Sequence, residues 1–523
     1  MQTHNKPTTG KTDMQTTKTI IKTPTPAPAK TGRGLAAVRK SAGLCLCLAT
    51  VLSFSSCGIY GKFKGASYQG SEQVFGPLQA APDSVAEWKD RRMGNQWDSV
   101  PAYTRIAQGD SLNLGQCHWR SFFTDPYLTA LIDTALKNNA DMQTALLNVQ
   151  EAQASLKASK LAFLPSFNIS PNGGISGTTD QAGSWSYQLP VNASWEIDLF
   201  GNLLNSKRSR QAALLQTQAY AQAVRSQLIA TVAATYYALL ALDEQSRIYA
   251  ETEASWRQNV SVTSHLVEGG KANSASLSQT QANYYNVLNQ LIDIRQQVMQ
   301  TENSLCSLLG IPPQEISRGR MDDWQSPTDI QVGIPLLVLR QRPDVNQAEQ
   351  ALAQAFYNTQ QARSEFFPSI TITGTFDFGE MLYNALGSLF QPIFQSGALK
   401  ANLDIAKAQE KEAEIGFRQT LIDAGIEVND AIMAVKSAQA KTENYALQVS
   451  HLQDAVQSTQ LLMKHGSTTY LEVLTAQQSL LSAQISQVAN RLTEISSCIS
   501  LYQALGGGTS TDMPQNADSK KRK

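Results

Sequence analysis

Cysteine, histidine and acidic side chains are considered first, because they carry most metal-binding and nucleophilic chemistry. The 523-residue chain contains six cysteines and five histidines. The histidines are scattered, and no CxxC pair or cysteine–histidine spacing typical of zinc is present. No nucleophile paired with a base, phosphate-binding loop or cluster of metal ligands is visible. These observations predict a protein that is not an enzyme and that holds no metal or other bound cofactor.

One cysteine, Cys57, lies in a context that predicts covalent modification. Three basic residues precede the fourteen-residue, mostly apolar run Ser41–Phe54, which is too short for a membrane-spanning helix of about 20 residues and is typical of a secretory signal. The run ends in Phe54-Ser55-Ser56-Cys57-Gly58, which resembles a bacterial lipobox, where the cysteine is lipidated. We expect residues 1–56 to be a disordered lead with a signal peptide, and Cys57 to carry a lipid. An ordinary cleaved signal and an uncleaved anchor are the alternatives.

The charge of the chain argues against one class of partner. The 43 basic residues balance the 43 acidic residues, and no basic stripe suited to nucleic acid is present. Charged residues make up only 16% of the chain, below the usual quarter. A polar surface with few charges suits extensive contacts between helices.

Two long stretches without proline predict the main structural elements. Val191–Ile311 and Ile393–Met513 each span 121 residues, and proline inside a helix costs about 3 kcal/mol. Apolar residues in both stretches follow steps of three and four, the seven-residue rhythm of coiled coils. Leu203–Val267 alone would be about 97 Å long as a helix. We therefore expect long helices packed side by side.

The two stretches belong to an internal repeat. Three glycines recur 196 residues later in the chain, as the pairs Gly201 and Gly397, Gly270 and Gly466, and Gly310 and Gly506. Asp141–Pro165 matches Asp344–Pro368 at a spacing of 203 residues. Each repeat is interpreted as helix, strand, strand, long helix and helix, so the predicted fold class is mostly α with a small β part.

Alternating side chains predict the strands. Apolar and polar residues alternate over Tyr187–Leu199 and again from Ile370 to Phe378, as in strands with two different faces. In the first repeat we expect one strand over Tyr187–Leu199 and a preceding strand that includes Phe167 and Ile175. Gly173-Gly174 and the segment from Gly177 to Gly183 are expected to be turns.

The predicted strands are long enough to cross a membrane but too few to close a barrel alone. A tilted strand of about 9–11 residues spans a bilayer, and open strand edges are not tolerated in lipid. If these strands cross a membrane, several chains supply them together, and three chains give twelve strands, an even number as such barrels require. The alternative is a small soluble sheet that buttresses the helices.

Composition and the repeat set the remaining boundaries. Asp125 followed by Pro126 predicts a helix start. Cys306 and Cys498 end equivalent helices and are expected to be buried thiols, with a disulfide between them as the alternative. The expected segments are a lipid-anchored extended segment at 57–118, a first repeat at 119–310, a linker at 311–332, a second repeat at 333–506 and a disordered tail at 507–523.

Several motifs together resemble the TolC-like outer-membrane efflux proteins, in particular the lipoprotein branch that serves RND pumps. In chain order they are Trp195-Glu196-Ile197-Asp198-Leu199-Phe200-Gly201, Gly333-Ile334-Pro335, Arg342-Pro343-Asp344, Phe367-Pro368-Ser369, Pro392-Ile393-Phe394 and Tyr470-Leu471-Glu472-Val473-Leu474. The resemblance covers about Trp119 to Gly506. It implies a homotrimer with a twelve-stranded β-barrel in the outer membrane on a long periplasmic α-helical barrel, and with the linker in an equatorial belt. It also implies passive export of small molecules such as drugs or toxic compounds, driven by an inner-membrane RND pump through a periplasmic adaptor.

The same resemblance implies candidate site residues. Gly270 and Gly466 mark the helix tips for adaptor contact. The family closes its periplasmic end beside these tips, partly with an acid six residues past the tip glycine, which is Glu472 in the second repeat but Ser276 in the first. Thr475 stands where relatives often carry a further acid, so the charged gate is thinned. A solvated acid on a helix face is the alternative for Glu472.

Three other functions remain open on the sequence alone. One is a type I protein-secretion exit duct of the same fold, and the second is a lipid-anchored coiled-coil structural protein without a pore. The third is a hydrolytic enzyme of the envelope. The lipobox and the Trp195–Gly201 motif favour the pump-linked branch. The short turn between Phe376 and Leu382 predicts almost no external loop on the second hairpin.

Overall fold

The computed structural model describes residues 61–65, 117–178, 181–324, 339, 341–377, 382–391, 397–465 and 467–509. The predictions for residues 1–56, Cys57, most of 57–118, residues 325–335, Phe378, residues 392–394, Gly466 and residues 510–523 lie outside these ranges. The described helices are α1 (Trp119–Phe122), α2 (Pro126–Asn138), α3 (Ala140–Leu161), α4 (Asn202–Glu268), α5 (Ser274–Leu309), α6 (Pro343–Ser364), α7 (Ala398–Lys464) and α8 (Tyr470–Ala504). The strands are β1 (Ser166–Ile169), β2 (Asn172–Thr178), β3 (Gln181–Gln188), β4 (Pro190–Ile197), β5 (Ser369–Asp377) and β6 (Leu382–Phe390).

The two long helices confirm the predicted repeat. Helices α4 and α7 each contain 67 residues, and both of their ends are related by the 196-residue spacing of the glycines. Each helix begins after a glycine in the left-handed region, Gly201 with φ 75° and Gly397 with φ 81°, where a side chain would be strained. The two long helices are therefore equal in length, with no insertion or deletion along either of them.

The helix pairs form a row. Helix α4 packs against α5, α8 and α6, and α7 packs against α8 and α6. The four long helices therefore lie in the order α5, α4, α8, α7. Among the described residues, none of the helices combines the length and apolar character needed to span a bilayer.

Equivalent side chains join the start and the end of each repeat. Asn139, the N-cap of α3, donates through Nδ2 to the carbonyl oxygen of Leu308 at 3.0 Å. Arg342, the N-cap of α6, donates through Nη1 to the carbonyl oxygen of Ala504 at 2.6 Å. Both pairs are related by the repeat, and the second adds ion pairs from Arg342 to Asp344 and Glu427. The same joint is neutral in one repeat and charged in the other.

The strands form a four-stranded antiparallel sheet and a two-stranded extension. The sheet order is β1, β4, β5, β6, and β2 pairs with β3. The predicted single strand over Tyr187–Leu199 is wrong, because the chain leaves the ladder at Leu189 and the strand divides into β3 and β4. The predicted turn at Gly173-Gly174 is also wrong, since both residues lie inside β2. In the second hairpin only residues 378–381 separate β5 from β6, which confirms the short connection.

An aromatic core lies where α1, the linker and the last helix meet the middle of α4. Phe122 stacks on Tyr502 with ring centroids 4.4 Å apart, and Tyr237 meets Trp324 edge-on at 5.3 Å. Burial raises the pKa of Tyr502 to about 12, and its hydroxyl donates to the carbonyl oxygen of Cys117 at 2.9 Å. The core fixes the linker and the last helix to α4 at mid-length.

The linker and the end of α8 are also held by polar contacts. Arg318 pairs with Asp243 of α4 at 2.5 Å and with Glu302 of α5. Gly507 and Gly508 are buried, and Ser226 donates to the carbonyl oxygen of Gly507 at 2.6 Å. The ordered body therefore continues past the expected boundary at 506. Cys306 and Cys498 are buried thiols, as expected.

Candidate channel lining and gate

The register of the four-stranded sheet gives it two chemically different faces. Directly paired residues point to the same face, so Val191 and Phe376, and Trp195 and Ile372, share one face. Neighbouring strands extend this apolar face with the exposed side chains Phe167, Ile169 and Leu389. Large apolar side chains open to the surroundings on one side of a sheet suit contact with lipid.

The opposite face of the sheet is mostly polar and uncharged. Asn168, Asn192, Thr375 and Asn384 form one row across all four strands, and Thr375 donates to the Asn192 amide oxygen at 3.0 Å. A second row contains Ser166, Ser194 and Thr373, next to Leu386 of β6. In this sheet, acidic residues stand only near the two ends of the polar face, at Glu196 and Asp377. The face can be wetted along its length without carrying strong charge.

Strands β1 and β6 are the open edges of this sheet. Their outward N–H and C=O groups need partners if the sheet lies in hydrocarbon, because an unpaired backbone group costs several kcal/mol there. One chain does not close the sheet, so further strands have to come from other chains.

The Trp195–Gly201 motif builds the junction between the sheet and the helices. Trp195 donates through its indole nitrogen to the carbonyl oxygen of Phe163 at 3.0 Å. Asp198 accepts from the backbone N–H of Leu204 at 2.7 Å, which supplies the side-chain cap that Gly201 lacks. Phe200 stacks on Phe367 with centroids 5.1 Å apart. The motif thus fixes the direction in which α4 leaves the sheet.

The opposite ends of the long helices form the tips. Gly270 has φ 67° with open space around its missing side chain, and the N–H groups of Lys271 and Ala272 turn back to the carbonyl of Leu266. Asn273 caps α5 by accepting from the backbone N–H of Ser276 at 2.8 Å. The tip of the first repeat is therefore a tight, capped turn.

The structure places Ser276 in the first turn of α5, Glu472 in the first turn of α8 and Thr475 in the second turn of α8. Ser276 donates its hydroxyl to the Asn273 side chain at 2.9 Å, so its role within one chain is capping. Glu472 is exposed and accepts from the Thr468 hydroxyl. Thr475 is exposed and donates to the carbonyl of Leu471 at 2.9 Å. Only Glu472 carries a charge that could face other copies of the chain.

Contacts near the tips that the sequence did not reveal join the two helix pairs. Asn259 of α4 donates to Gln477 of α8 at 2.8 Å. About one helical turn from this hydrogen bond, Trp256 is buried against Val287 and Leu474. Asn259 and Gln477 are 218 residues apart in the chain, as are Trp256 and Leu474, so only the packing of α4 on α8 brings these partners together.

An ion pair beside this cluster stabilises the first helix pair. Arg257 binds Glu253 at 2.7 Å, and the Tyr284 hydroxyl of α5 donates to the same Glu253 oxygen at 3.0 Å. The hydrogen bond that Arg257 donates to Glu253 raises the pKa of Arg257. Within the described residues, no group of three or more His, Cys, Asp or Glu side chains is placed to hold a metal ion.

Comparison with known proteins identifies the family. The outer membrane efflux protein family matches residues 131–311 and 334–507. The cation efflux system protein CusC of Escherichia coli O6:H1 is 30% identical over 430 residues, which cover 78% of this chain and 93% of the relative. A crystal structure of CusC superposes with a TM-score of 0.71 at 29% identity, covering 77% of this chain and 98% of the other.

Two further relatives support the same class. The antibiotic efflux pump outer membrane protein ArpC of Pseudomonas putida is 30% identical over 83% of this chain and 93% of its own length. The probable outer membrane lipoprotein SilC of Salmonella typhimurium is 28% identical over 75% of this chain and 88% of its own length. The chain belongs to the outer membrane efflux protein family. It is an efflux channel of the bacterial outer membrane, and it works as part of a larger pump.

Proposed function

We propose that this chain is the exit duct of a tripartite RND-type efflux system and exports small molecules such as drugs or toxic compounds. In this proposal three copies form a twelve-stranded barrel on a helical tunnel, and a periplasmic adaptor contacts the tips at Gly270 and Gly466. The inner-membrane pump supplies the energy, so the duct itself is not an enzyme and needs no cofactor. The two-faced sheet with open edges, continuous with helices of 67 residues, carries the proposal.

The relatives support a small-molecule cargo without specifying it. CusC is named for cation efflux and ArpC for antibiotic efflux, and both resemble this chain to the same degree. A type I protein-secretion duct of the same fold is the second candidate. A coiled-coil structural protein without a pore would leave the two-faced sheet without a purpose.

Lipid attachment at Cys57 is part of the proposal and has support from the few residues described after it. Arg208, in the second turn of α4 after the sheet, donates to the carbonyl oxygen of Gly61 at 3.2 Å, and Phe63 packs against Phe356. Three residues separate Cys57 from Gly61, so their Cα atoms lie at most about 14 Å apart. The proposal is that Cys57 carries a covalently attached lipid. Intact-mass measurement of the purified protein tests this: a mass without the acyl groups would contradict it.

Conductance across a planar bilayer tests the duct and its gate. We expect discrete, small channels from the parent protein. Three Glu472 carboxylates in one ring would repel one another and attract cations, so Glu472→Ala should change channel size or lifetime and reduce cation preference. Glu443→Ala, which removes another exposed acid on α7, is the control. Channels unchanged by Glu472→Ala would retain the duct and remove Glu472 from the gate, whereas folded trimers that never conduct, even with the adaptor added, would contradict the duct.

A further inference from the structure

A cavity lies where the sheet meets the helices, and we call it the junction pocket. It has a volume of about 310 Å³ and is bounded by the end of β4, the start of α4, the end of α6 and the start of α7. Glu196 and Phe390 line it, and both stand on the polar face of the sheet. Small-molecule sites in proteins have volumes of about 300–1,000 Å³, so the junction pocket can hold a small organic molecule.

Two carboxylates on the wall of the junction pocket have no partner. Glu196 and Glu365 both line it, and neither side chain forms an ion pair or a hydrogen bond with a described residue. The third acid, Asp198, already accepts from the backbone N–H of Leu204 at the start of α4. No lysine or arginine is among the described residues of the lining. A cleft lined by uncompensated charge of one sign attracts the opposite charge, so the pocket favours a cation.

Two polar groups of the pocket are not needed to build the fold. Glu365 is the C-cap residue of α6, where the negative end of the helix dipole repels a carboxylate. The side-chain oxygen of Asn202 is buried without a hydrogen-bond partner, which destabilises the folded chain. The repeat-related counterparts of Glu365 and Asn202 are Ala162 and Ala398. The equivalent junction is thus built without either group, and a ligand that donates hydrogen bonds would satisfy both of them.

The other walls of the junction pocket are aromatic. Phe200 and Phe367 are stacked there, and Phe390 is 60% exposed. Its neighbours on the same face, Ser369 and Ser388, are small and polar. Aromatic rings cover apolar groups and attract organic cations to their faces. The pocket therefore combines negative charge with apolar surface.

We propose that the junction pocket binds an organic ammonium ion with an apolar or aromatic body. The ammonium group would lie between Glu196 and Glu365 and donate to the Asn202 oxygen, and the apolar body would cover Phe390. A bare metal ion does not fit, because no group of three metal-binding side chains is placed to hold one among the described residues. The site rests on the proposed function and assigns a class of cargo to it, since the pocket lies on the face along which an exported solute passes.

Binding of a fluorescent ammonium ion tests the pocket. The purified full-length protein in a non-ionic detergent is dialysed to equilibrium against naphthylethylammonium at neutral pH, with protein-free micelles as the background. We expect saturable binding of one ion per chain. Glu196→Gln and Glu365→Gln should each raise the Kd at least about tenfold, because each removes a charge-assisted contact. Glu443→Gln, at an exposed acid of α7, is the matched control and should leave the Kd unchanged.

Two further measurements separate a ligand site from a structural role. The uncharged analogue naphthylethanol should bind the parent protein at least about tenfold more weakly than the ammonium ion, and the glutamine variants should not change its binding. Glu365→Gln should leave the unfolding temperature unchanged or raise it, because it removes a charge that the helix dipole opposes. A lower unfolding temperature with unchanged ammonium binding would make Glu365 a structural residue and overturn the site.

Planar-bilayer conductance of the same protein separates the pocket from the duct. Conducting channels with saturable ammonium binding that both glutamine variants weaken would support the proposal. Conducting channels that bind the ammonium ion no more tightly than the alcohol, or whose glutamine variants bind it as the parent does, would overturn the pocket and leave the duct standing. Saturable binding by folded protein that never conducts, even with the adaptor added, would overturn the duct and the assignment of the ligand as cargo.

Discussion

At the residue scale, the joint at the start of each repeat shows how duplicated positions have diverged. Asn139 and Arg342 occupy equivalent N-caps and donate to equivalent carbonyl groups, but Arg342 also pairs with two carboxylates while buried itself. Hydrogen bonds from a charged donor contribute about 1.5–3 kcal/mol, against about 1 kcal/mol for a neutral one. The second repeat therefore depends more strongly on its cap residue than the first.

Substitution of the two caps should reveal this difference. We expect Arg342→Ala to lower the free energy of unfolding by about 2–4 kcal/mol, because it leaves the Ala504 carbonyl and two carboxylates without their donor. Asn139→Ala should cost about 1–2 kcal/mol. Thermal unfolding of the detergent-solubilised protein measures both, with Arg418→Ala, at an exposed arginine, as the control. Equal losses at the two caps would contradict the argument.

The residue scale also shows why glycine misled the strand prediction. A side chain on Gly173 would lie 3.3 Å from the ring of Tyr187, and one on Gly183 would lie 2.8 Å from Ile175. These glycines stay in strands because they make room for large side chains on the paired strand. Sequence alone does not separate this use of glycine from its use in turns.

At the scale of elements, one side-chain hydrogen bond links α4 to α8 near the tips. Asn259 and Gln477 bond within one chain, but their counterparts are Ala455 and Gln281, which cannot form the same bond. This hydrogen bond between the two helix pairs of one chain therefore has no equivalent at the repeat-related positions.

Loss of this link should favour the open channel. A hydrogen bond between neutral side chains contributes about 0.5–1.5 kcal/mol, so Asn259→Ala should shift the ratio of closed to open channels roughly 2- to 13-fold per link. Single-channel recording measures the ratio. Gln477→Ala should give the same shift, and the double variant should add little, because both remove one bond. Gln281→Ala is the matched control, and a double variant whose effect is the sum of the two would count against a shared bond.

Element bounds could be predicted well where backbone rules decide them, and poorly where packing decides them. Missing prolines allowed the long helices, and the spaced glycines located their starts. Helices α4 and α7 begin directly after the left-handed glycines Gly201 and Gly397, and α4 ends at its C-cap Gly269, next to the left-handed Gly270. The gate position Glu472 came from resemblance to a family. The contacts Asn259–Gln477 and Trp256–Leu474 could not be predicted, because they depend on which helices are neighbours.

At the scale of the whole molecule, stability of one chain and stability of the assembly should respond to different residues. Ile292 is 62% exposed in one chain, so Ile292→Asp should leave the helical content unchanged. It should weaken the oligomer, because burial of an isoleucine side chain stabilises by about 1.5–3 kcal/mol and a carboxylate in its place resists desolvation. We expect the temperature at which trimers dissociate on a native gel to fall, while Asp293→Asn leaves it unchanged. If trimers of the Ile292→Asp variant were as heat-resistant as those of the parent, Ile292 would lie outside the contacts between copies.

The neutral polar face of the sheet has a consequence for how fast a solute leaves. Hydroxyl and amide groups, which make up most of this face, exchange hydrogen bonds with water at little net gain. Away from Leu386 and from the acids near its two ends, the face therefore offers a passing molecule no strong binding site. Ions and uncharged compounds alike would diffuse along this face at close to their rate of diffusion in free solution. The transit time of a solute would then depend on the part of the channel before the strands. The strand region itself would not distinguish between solutes by their chemistry.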